Sequence, residues 1–326
     1  MAASSLLDCV RALQRQTVED LEAVVIDNSG SGAARARLAD LADRRVKILD
    51  NQRNTGFGAA VNQAWRHSRA PYLATLNDDA TPDPGWLAAL LDAIEAHPDA
   101  GMCASQVRLA GRATLDSAGM LVARDGSSKQ RGQLASPEAF SDMQEVLLPS
   151  GSAALYRRAL IEEIGGFDDD FFLYCEDTDL GLRARWAGWK CLYVPAAVVD
   201  HAYSGTSGAA SPLKAYYVER NRLFVLVKNF PAGLLAAAPL VSLARYAWHL
   251  AAMLRGRGAA GRYRGDGNGG ATLVWIVLRA HAGLIANFAS LWRKRRAIRR
   301  SAKISPAAFT GLLRAHAISA RQVAEL

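Results

Sequence analysis

The sequence predicts an α/β sandwich, helices packed on a mostly parallel central sheet, followed by a separate helical region. Three observations carry that expectation. Over the first two thirds, short apolar runs alternate with segments of helical periodicity. Several of these runs close on Asp or Asn, the residue types that gather ligands at the carboxyl edge of such sheets. From residue 211 onward the alternation stops and long apolar segments rich in arginine take over.

The elements follow in chain order. "LEAVVID" (21–27) reads as a buried strand and is followed by the turn-rich "NSGSG". "RVKIL" (45–49) is a second strand, and "GFGAAVNQAWRHS" begins a helix after a glycine loop. "PYLATLND" (71–78) is a third strand, and "DPGWLAALLDAIEAH" a helix with Pro84 near its first turn. "AGMCASQVRL" and "LDSAGMLVA" read as further strands. A helical pattern then runs from about Glu176 and stops near Gly188. The strand-end polar residues are Asp27, Asn28, Asn54, Asn77, Asp78 and Asp79.

Composition narrows the classes. The chain of 326 residues is 50% hydrophobic, enough for a sizeable core and more than one structural unit. Its four cysteines are widely spaced with no CxxC pair, which argues against a disulfide framework or a structural zinc site and fits a reducing cytosol. "MAASSLLDCVRALQRQ" has no basic segment followed by an apolar stretch, so no secretory signal is expected. Residues 1–210 hold 20 basic and 28 acidic side chains, a balance of −8, whereas residues 211–326 hold 19 and 3, a balance of +16. The boundary therefore divides an acidic domain, 1–210, from a basic helical region, 211–326, suited to a polyanion.

That polyanion is expected to be a membrane. "AGLLAAAPLVSLARYAWHLAAML" (232–254) and "TLVWIVLRAHAGLIANFASLW" (272–292) are long enough to span a bilayer. Yet Ser242, Arg245, His249 and Gly256 share one helical face, and Thr272, Arg279, Asn287 and Ser290 another, with His281 opposite. Arginine at the centre of a span would cost roughly 3 kcal/mol. These segments fit helices lying in the interface. "RKRRAIRR" (293–300), with six basic side chains in eight, suits anionic headgroups. No nucleic-acid recognition motif accompanies the charge, so a membrane is preferred as the partner.

Five motifs bear on chemistry, each with a plain structural alternative. Asp27 and Asn28 in "VVIDNSGSG" suit a tight turn or, with Asp27 accepting a nucleobase N–H, a nucleotide site. Asn54, Gly56 and Gly58 in "NTGFGAAVNQA" suit a strand-to-helix loop or a close backbone approach, without the lysine of a P-loop or GxGxxG spacing. Asn77, Asp78 and Asp79 in "LNDDATPDPGW" cap a helix or offer oxygens to a hard divalent cation holding a diphosphate. Glu176, Asp177 and Asp179 complement a helix dipole, with Asp179 placed to pair Arg183 one turn on. His201, closing "CLYVPAAVVDH", is structural or a metal ligand at a strand end.

Taken in order, these segments, with "PSGSAALYRRALIEEIGGFDDDFFLYCEDTDLGLRARWAGWKCLYVP" and "VVDHAYSGTSG", resemble the family 2 glycosyltransferases, inverting enzymes of the GT-A fold. "KAYYVERNRLFVLVKNFP" (214–231) is similar to the segment after the catalytic domain in bacterial rhamnosyltransferase-like members. The resemblance spans roughly residues 5 to 231. It implies that Asp27 binds the base of a nucleotide sugar, with Asn28, Asn54, Gly56 and Asp78 around the donor. Asn77 and Asp79 would stand at the ends of the family's metal-binding D-x-D, with His201 as the later ligand of Mg2+ or Mn2+. Asp177 would be the general base, Glu176 would position it or the acceptor, and Gly151 and Ser152 would line the acceptor side. The implied activity transfers a sugar, rhamnose by analogy, from a nucleotide-diphosphate donor to a lipid-linked or cell-envelope glycan, on the cytoplasmic face of the membrane. Family members begin with an apolar strand ahead of the helix that "SSLLDCVRALQRQT" resembles, and that first strand is expected to be missing here. The alternative implied by its loss is a non-catalytic, membrane-bound scaffold of the same fold.

Overall fold

The computed structural model describes residues 5–202, 211–265 and 270–326. The end of the "VVDHAYSGTSG" segment and part of the glycine-rich connector lie outside them. The elements are α1 (Ser5–Gln14), β1 (Ala23–Asp27), α2 (Ala33–Arg37), β2 (Val46–Asp50), α3 (Phe57–His67), β3 (Tyr72–Leu76), β4 (Ala80–Pro82) and α4 (Trp86–Ala96). They continue with β5 (Ala100–Leu109), β6 (Leu115–Ser117), β7 (Met120–Val122), β8 (Ser128–Gln130), β9 (Gln144–Val146), β10 (Ala153–Arg157), α5 (Arg158–Ile164), α6 (Glu176–Trp186) and β11 (Lys190–His201). The helical region holds α7 (Pro212–Asn229), α8 (Ala232–Leu254), α9 (Gly258–Gly265), α10 (Gly270–Arg300), α11 (Pro306–Ala315) and α12 (Ala320–Glu325).

The chain divides into two compact units. One comprises the chain up to Gly119, Gln130–Ala184 and the stretch from Trp189 through β11; the other takes Met120–Lys129, Arg185–Gly188 and the chain from α7 on. In the first unit a seven-stranded sheet runs β3-β10-β5-β11-β4, with β6 on β5 and β9 on β11. Only β5 and β11 pair in parallel; β10, β4, β6 and β9 all run antiparallel to their partners. The central sheet is therefore mixed, which corrects the mostly parallel expectation. Short apolar runs predict strands without direction, and direction depends on connections such as the long path from β5 to β10, invisible to periodicity. "LDSAGMLVA" likewise divides into two strands, β6 and β7, that pair with different partners.

β1 and β2 pair in parallel as a separate two-stranded sheet, Asp27 opposite Asp50. Among the described residues no ladder joins this pair to the central sheet. Leu6 and Val10 of α1 pack with Ala34 and Leu38 against it.

Alternation along β5 sends its side chains to two cores. Cys103 and Val107 meet Trp86, Leu90 and Ile94 of α4 on one face. Met102 and Ala104 meet Leu160 and Ile161 of α5 and Leu180 and Ala184 of α6 on the other. This layering fixes the head of α6 and the ends of β3 and β11, where the expected site residues lie.

In the second unit α10 packs along α7, and α12 packs on α8 and α9. Trp186 stacks on Phe309 at 4.0 Å, its indole N–H donates to the Asn229 carbonyl at 2.9 Å, and Arg299 covers its ring at 3.6 Å.

Candidate active site

The β3 end and the β11 end meet. His201 pairs across to Ala80 of β4, which holds its ring against the turn between β3 and β4. Its Nε2 lies 3.1 Å from Asp79 Oδ1 and 3.3 Å from the Asn77 side-chain nitrogen. Its Nδ1 lies 3.0 Å from Asp116 Oδ2. Burial opposes the imidazolium, but hydrogen bonds and charge from Asp116 and Asp79 outweigh it and raise the ring to about 9. Asp78, between the two, has its carboxyl pushed up by burial and by the Asp79 charge.

These groups suit a divalent cation as a partial, open site. Asp79 and His201 supply a carboxylate oxygen and an imidazole nitrogen that converge, and Asn77 adds an amide. Among the described residues no cluster of three His, Cys, Asp or Glu side chains makes a closed cage. A cation here would complete its shell from a ligand's oxygens, as Mg2+ commonly does with phosphates.

The second cluster opens α6. Asp177 Oδ2 accepts the Gly151 N–H at 2.9 Å, and Oδ1 accepts the Thr178 N–H at 2.6 Å. Burial pushes its carboxyl up, while those backbone donors favour the charged form. Asp177 still reaches solvent, whereas Glu176 is only 7% exposed. Burial and the neighbouring Asp177 charge push Glu176 up to about 8. One of its oxygens, Oε2, is buried without a hydrogen-bond partner. The proton is therefore held more strongly by Glu176, while the backbone donors from Gly151 and Thr178 favour the charged form of Asp177. Asp179 behaves otherwise: Arg183 Nε donates to it at 2.8 Å, and that guanidinium also holds the Ile164 and Gly166 carbonyls.

A single dipeptide links the two clusters. Gly151 N–H goes to Asp177, while the Ser152 carbonyl accepts the Asn77 N–H at 2.9 Å. A Cβ on Gly151 would sit 3.3 Å from the Asp177 Cβ, so the small residue permits the close approach.

The third expected group lies around β1. Asn28 donates to the Gly56 carbonyl at 3.2 Å and accepts from Asn51 at 2.8 Å, and Asn54 accepts the Gly56 N–H at 2.8 Å. Asp27 is buried; its oxygens accept the Ser29 and Ala34 N–H groups, both at 2.8 Å, and so cap α2. Burial opposes its charge, yet those hydrogen bonds hold the carboxyl below its ordinary value. Gly56 adopts φ +87°, and a Cβ there would overlap the Phe172 carbonyl, which accepts the Phe57 N–H at 2.9 Å. Phe172, Tyr174 and Cys175 all carry positive φ. Three such non-glycine residues in four, just ahead of Glu176, are backbone strain of the kind found at functional sites. Neither this strain nor Asp116 was anticipated. The only sequence signal for Asp116 is an acid set in the apolar run "LDSAGM".

Comparison with known proteins bears on the family and the fold. The chain is 32% identical over 219 residues to the N-acetylglucosaminyl-diphospho-decaprenol L-rhamnosyltransferase of Mycobacterium tuberculosis, covering 60% of this chain and 71% of that one. It is 27% identical over 261 residues to the pre-mycofactocin glycosyltransferase of the same organism, covering 74% of this chain and 52% of that protein. Among solved structures, GalNAc-T7 with UDP, GalNAc and Mn2+ aligns over 69% of this chain and 45% of its own, with TM-score 0.56 and 17% identity. The mannosyltransferase PcManGT from Pyrobaculum calidifontis, with GDP-Man and Mn2+, aligns over 99% of this chain and 83% of its own, with TM-score 0.51 and 18% identity. At those identities the structures speak for the GT-A fold alone. Residues 2–165 match the family described as glycosyl transferase family 2. The chain therefore belongs to glycosyl transferase family 2 and is a glycosyl transfer enzyme.

Proposed function

We propose that the enzyme is an inverting glycosyltransferase that moves a sugar from a nucleotide-diphosphate donor to a lipid-linked acceptor, with Asp177 as general base. The observation that carries this reading is the Gly151–Ser152 link, which ties a half-buried carboxylate to the Asn77–Asp79–His201 end of the sheet. A base and a diphosphate site must flank one sugar for a single displacement, and a backbone link between the two clusters supports that reading.

The acceptor hydroxyl has a pKa far above 7, so its proton must leave as its oxygen bonds to the anomeric carbon. Asp177 takes that proton while the bond from the anomeric carbon to the diphosphate oxygen breaks, and the nucleoside diphosphate departs with the electron pair. The backbone donors from Gly151 and Thr178 aim the Asp177 carboxylate and favour its charged form, and burial pushes the Glu176 carboxyl up beside it. Asp79, His201 and Asn77 would hold Mg2+ or Mn2+, which when bound neutralises charge on the leaving diphosphate. Asn28, Asn54 and Gly56 form the donor-side loop, and Asp27, which shapes it, would accept from the base through its remaining lone pairs. Rhamnose as the sugar rests on the mycobacterial relative.

The helical region supports a lipid-linked acceptor. α8 is inverted relative to a soluble surface helix: Ser242 and Arg245 face inward, while Leu240, Leu243, Leu250 and Leu254 are 54–73% exposed. On α10, Val274, Trp275, Leu278, Ile285 and Phe288 face outward and are succeeded by exposed Arg293, Arg296 and Arg300. An apolar outer face ending in arginines fits the acyl and headgroup layers of an anionic membrane. "RKRRAIRR" is accordingly divided: Arg295 and Arg299 turn inward to the Val227, Phe230 and Asn229 carbonyls. Both long helices lie along other elements of their unit, which favours lying in the interface over spanning.

Turnover and donor binding test the assignment together. Asp177→Asn should lower kcat on the order of 10²- to 10⁴-fold with donor affinity kept; full activity in that variant would refute the base. A chain that binds no nucleotide sugar, with or without Mn2+, would point to the scaffold alternative.

A further inference from the structure

The geometry points to Asp116 as a positioning residue that presents His201 Nε2 to the cation site and so sets cation affinity. The inference rests on the reading that Asp79 and His201 hold a divalent cation. Asp116 itself belongs to none of the recognised motifs and would be taken from sequence as one more residue of a short strand.

Its placement is specific. β6 pairs with β5 through Val107 opposite Ser117 and Arg108 opposite Leu115, so adjacent residues on β5 face residues two apart on β6. Asp116 is the extra residue of that bulge. A bulge bends its strand and re-aims one side chain, and such bulges gather beside active sites. β5 also pairs with β11, Leu109 opposite His201, so the bulge stands one strand away from the histidine. The result is Asp116 Oδ2 at 3.0 Å from His201 Nδ1.

The carboxylate has little other purpose there. It is 2% exposed, and Oδ1 is buried without a hydrogen-bond partner among the described residues. A buried carboxylate with one oxygen unpaired costs stability and is not what a hairpin needs for itself. The bond to His201 is what this acid accomplishes.

The chemistry follows from the two ring nitrogens. With Nδ1 donating to Asp116, the ring cannot rotate freely, and Nε2 is turned toward Asp79 Oδ1 and Asn77. A carboxylate behind a ligating histidine fixes its tautomer and strengthens its donor nitrogen, and loss of such partners typically weakens metal affinity 10- to 100-fold. A merely structural acid would change folding without changing the state of the ring.

Mn2+ binding to the full chain, measured by electron paramagnetic resonance with and without a nucleoside diphosphate, tests this directly. Asp116→Ala should weaken binding about 10- to 100-fold, and Asp116→Asn, which keeps an acceptor oxygen, should weaken it less. His201→Ala marks the full loss. Nitrogen-15 spectra of His201 in the cation-free chain, taken above the raised pKa of about 9 where the ring is neutral, give a second readout: wild type and Asp116→Asn should hold Nδ1–H, and Asp116→Ala should mix tautomers. If Asp116→Ala does not fold, Asp116→Asn and its spectrum decide. Binding lost in His201→Ala but kept within twofold in both Asp116 variants, with an unchanged ring, overturns the positioning role alone. A wild-type chain that binds no Mn2+ under either condition overturns the cation reading and this inference with it.

Discussion

Two glutamates, Glu219 and Glu176, face similar desolvation in this chain and are pushed in opposite directions. In the helical unit, Glu219 and Asp125 lie among Arg222 and Arg245, with Tyr246 donating to Glu219. Arg222 pairs with Glu219 and holds the Asp125 carbonyl at 3.0 Å, while Arg245 reaches Glu219 at 2.6 Å and Asp125 at 2.5 Å. Burial opposes the Glu219 charge, but two guanidinium groups hold its carboxyl far below the ordinary range. At the head of α6, burial and the Asp177 charge act on Glu176 with no guanidinium among the described residues to answer them, and the carboxyl rises to about 8. Asp179, one turn along, is paired with Arg183. Burial alone does not set the direction of a carboxyl's shift; the presence or absence of a counter-cation does.

The largest effect should come from breaking the paired network. Glu219→Gln leaves two buried guanidinium groups short of charge, and unfolding by denaturant should register a loss of about 3–5 kcal/mol. A loss near zero would erase the distinction between the two glutamates. Gly56→Ala is next: a Cβ at φ +87° meets the Phe172 carbonyl, so destabilisation of about 1–3 kcal/mol is expected. Because Phe172 leads into Glu176, this variant should also lower kcat, and a stability loss with unchanged turnover would separate the donor loop from the acids.

A smaller effect, about 1 kcal/mol per residue, should follow loss of the outward arginines. Arg293→Gln, Arg296→Gln and Arg300→Gln together should weaken flotation with anionic liposomes while leaving neutral ones unaffected, and an equal fall for both lipids would deny them a headgroup role. Arg295→Gln should instead act on folding, since its guanidinium serves backbone carbonyls.

The most subtle effect is a pH dependence. Glu176 ionises near 4.5 in an unfolded chain and near 8 in the fold, so the folded chain retains a proton in between. Stability from this group is therefore full below about 4.5 and is lost as pH rises toward about 8. Glu176→Gln should reduce that slope in denaturant midpoints measured between pH 5 and 6.5, below the range in which the raised His201 ring adds its own fall. An unchanged slope would place the buried proton elsewhere.

Much of the site was legible before any coordinates. Strand ends collect polar residues for a physical reason, and Asp27, Asn77, Asp79 and His201 do stand at or just beyond the ends of β1, β3 and β11. The helix from Glu176 and the Asp179–Arg183 pair followed from dipole and i, i+4 rules, and both are present. The polar face of α8 was legible from spacing, and Ser242 and Arg245 are indeed turned to one side.

What the sequence determined by itself is local: which runs are strands or helices, which ends are polar, and where the charge balance changes sign. Periodicity and capping act over a few residues, so a chain without coordinates carries them in full. Tertiary structure alone decided the rest. Strand direction made the sheet mixed, a bulge one strand away brought Asp116 to His201, and the Gly151–Ser152 link joined residues 26 and 75 positions apart. Above all it sorted the acids, because a carboxylate's charge state depends on which cations share its burial, and Glu219 found two where Glu176 found none.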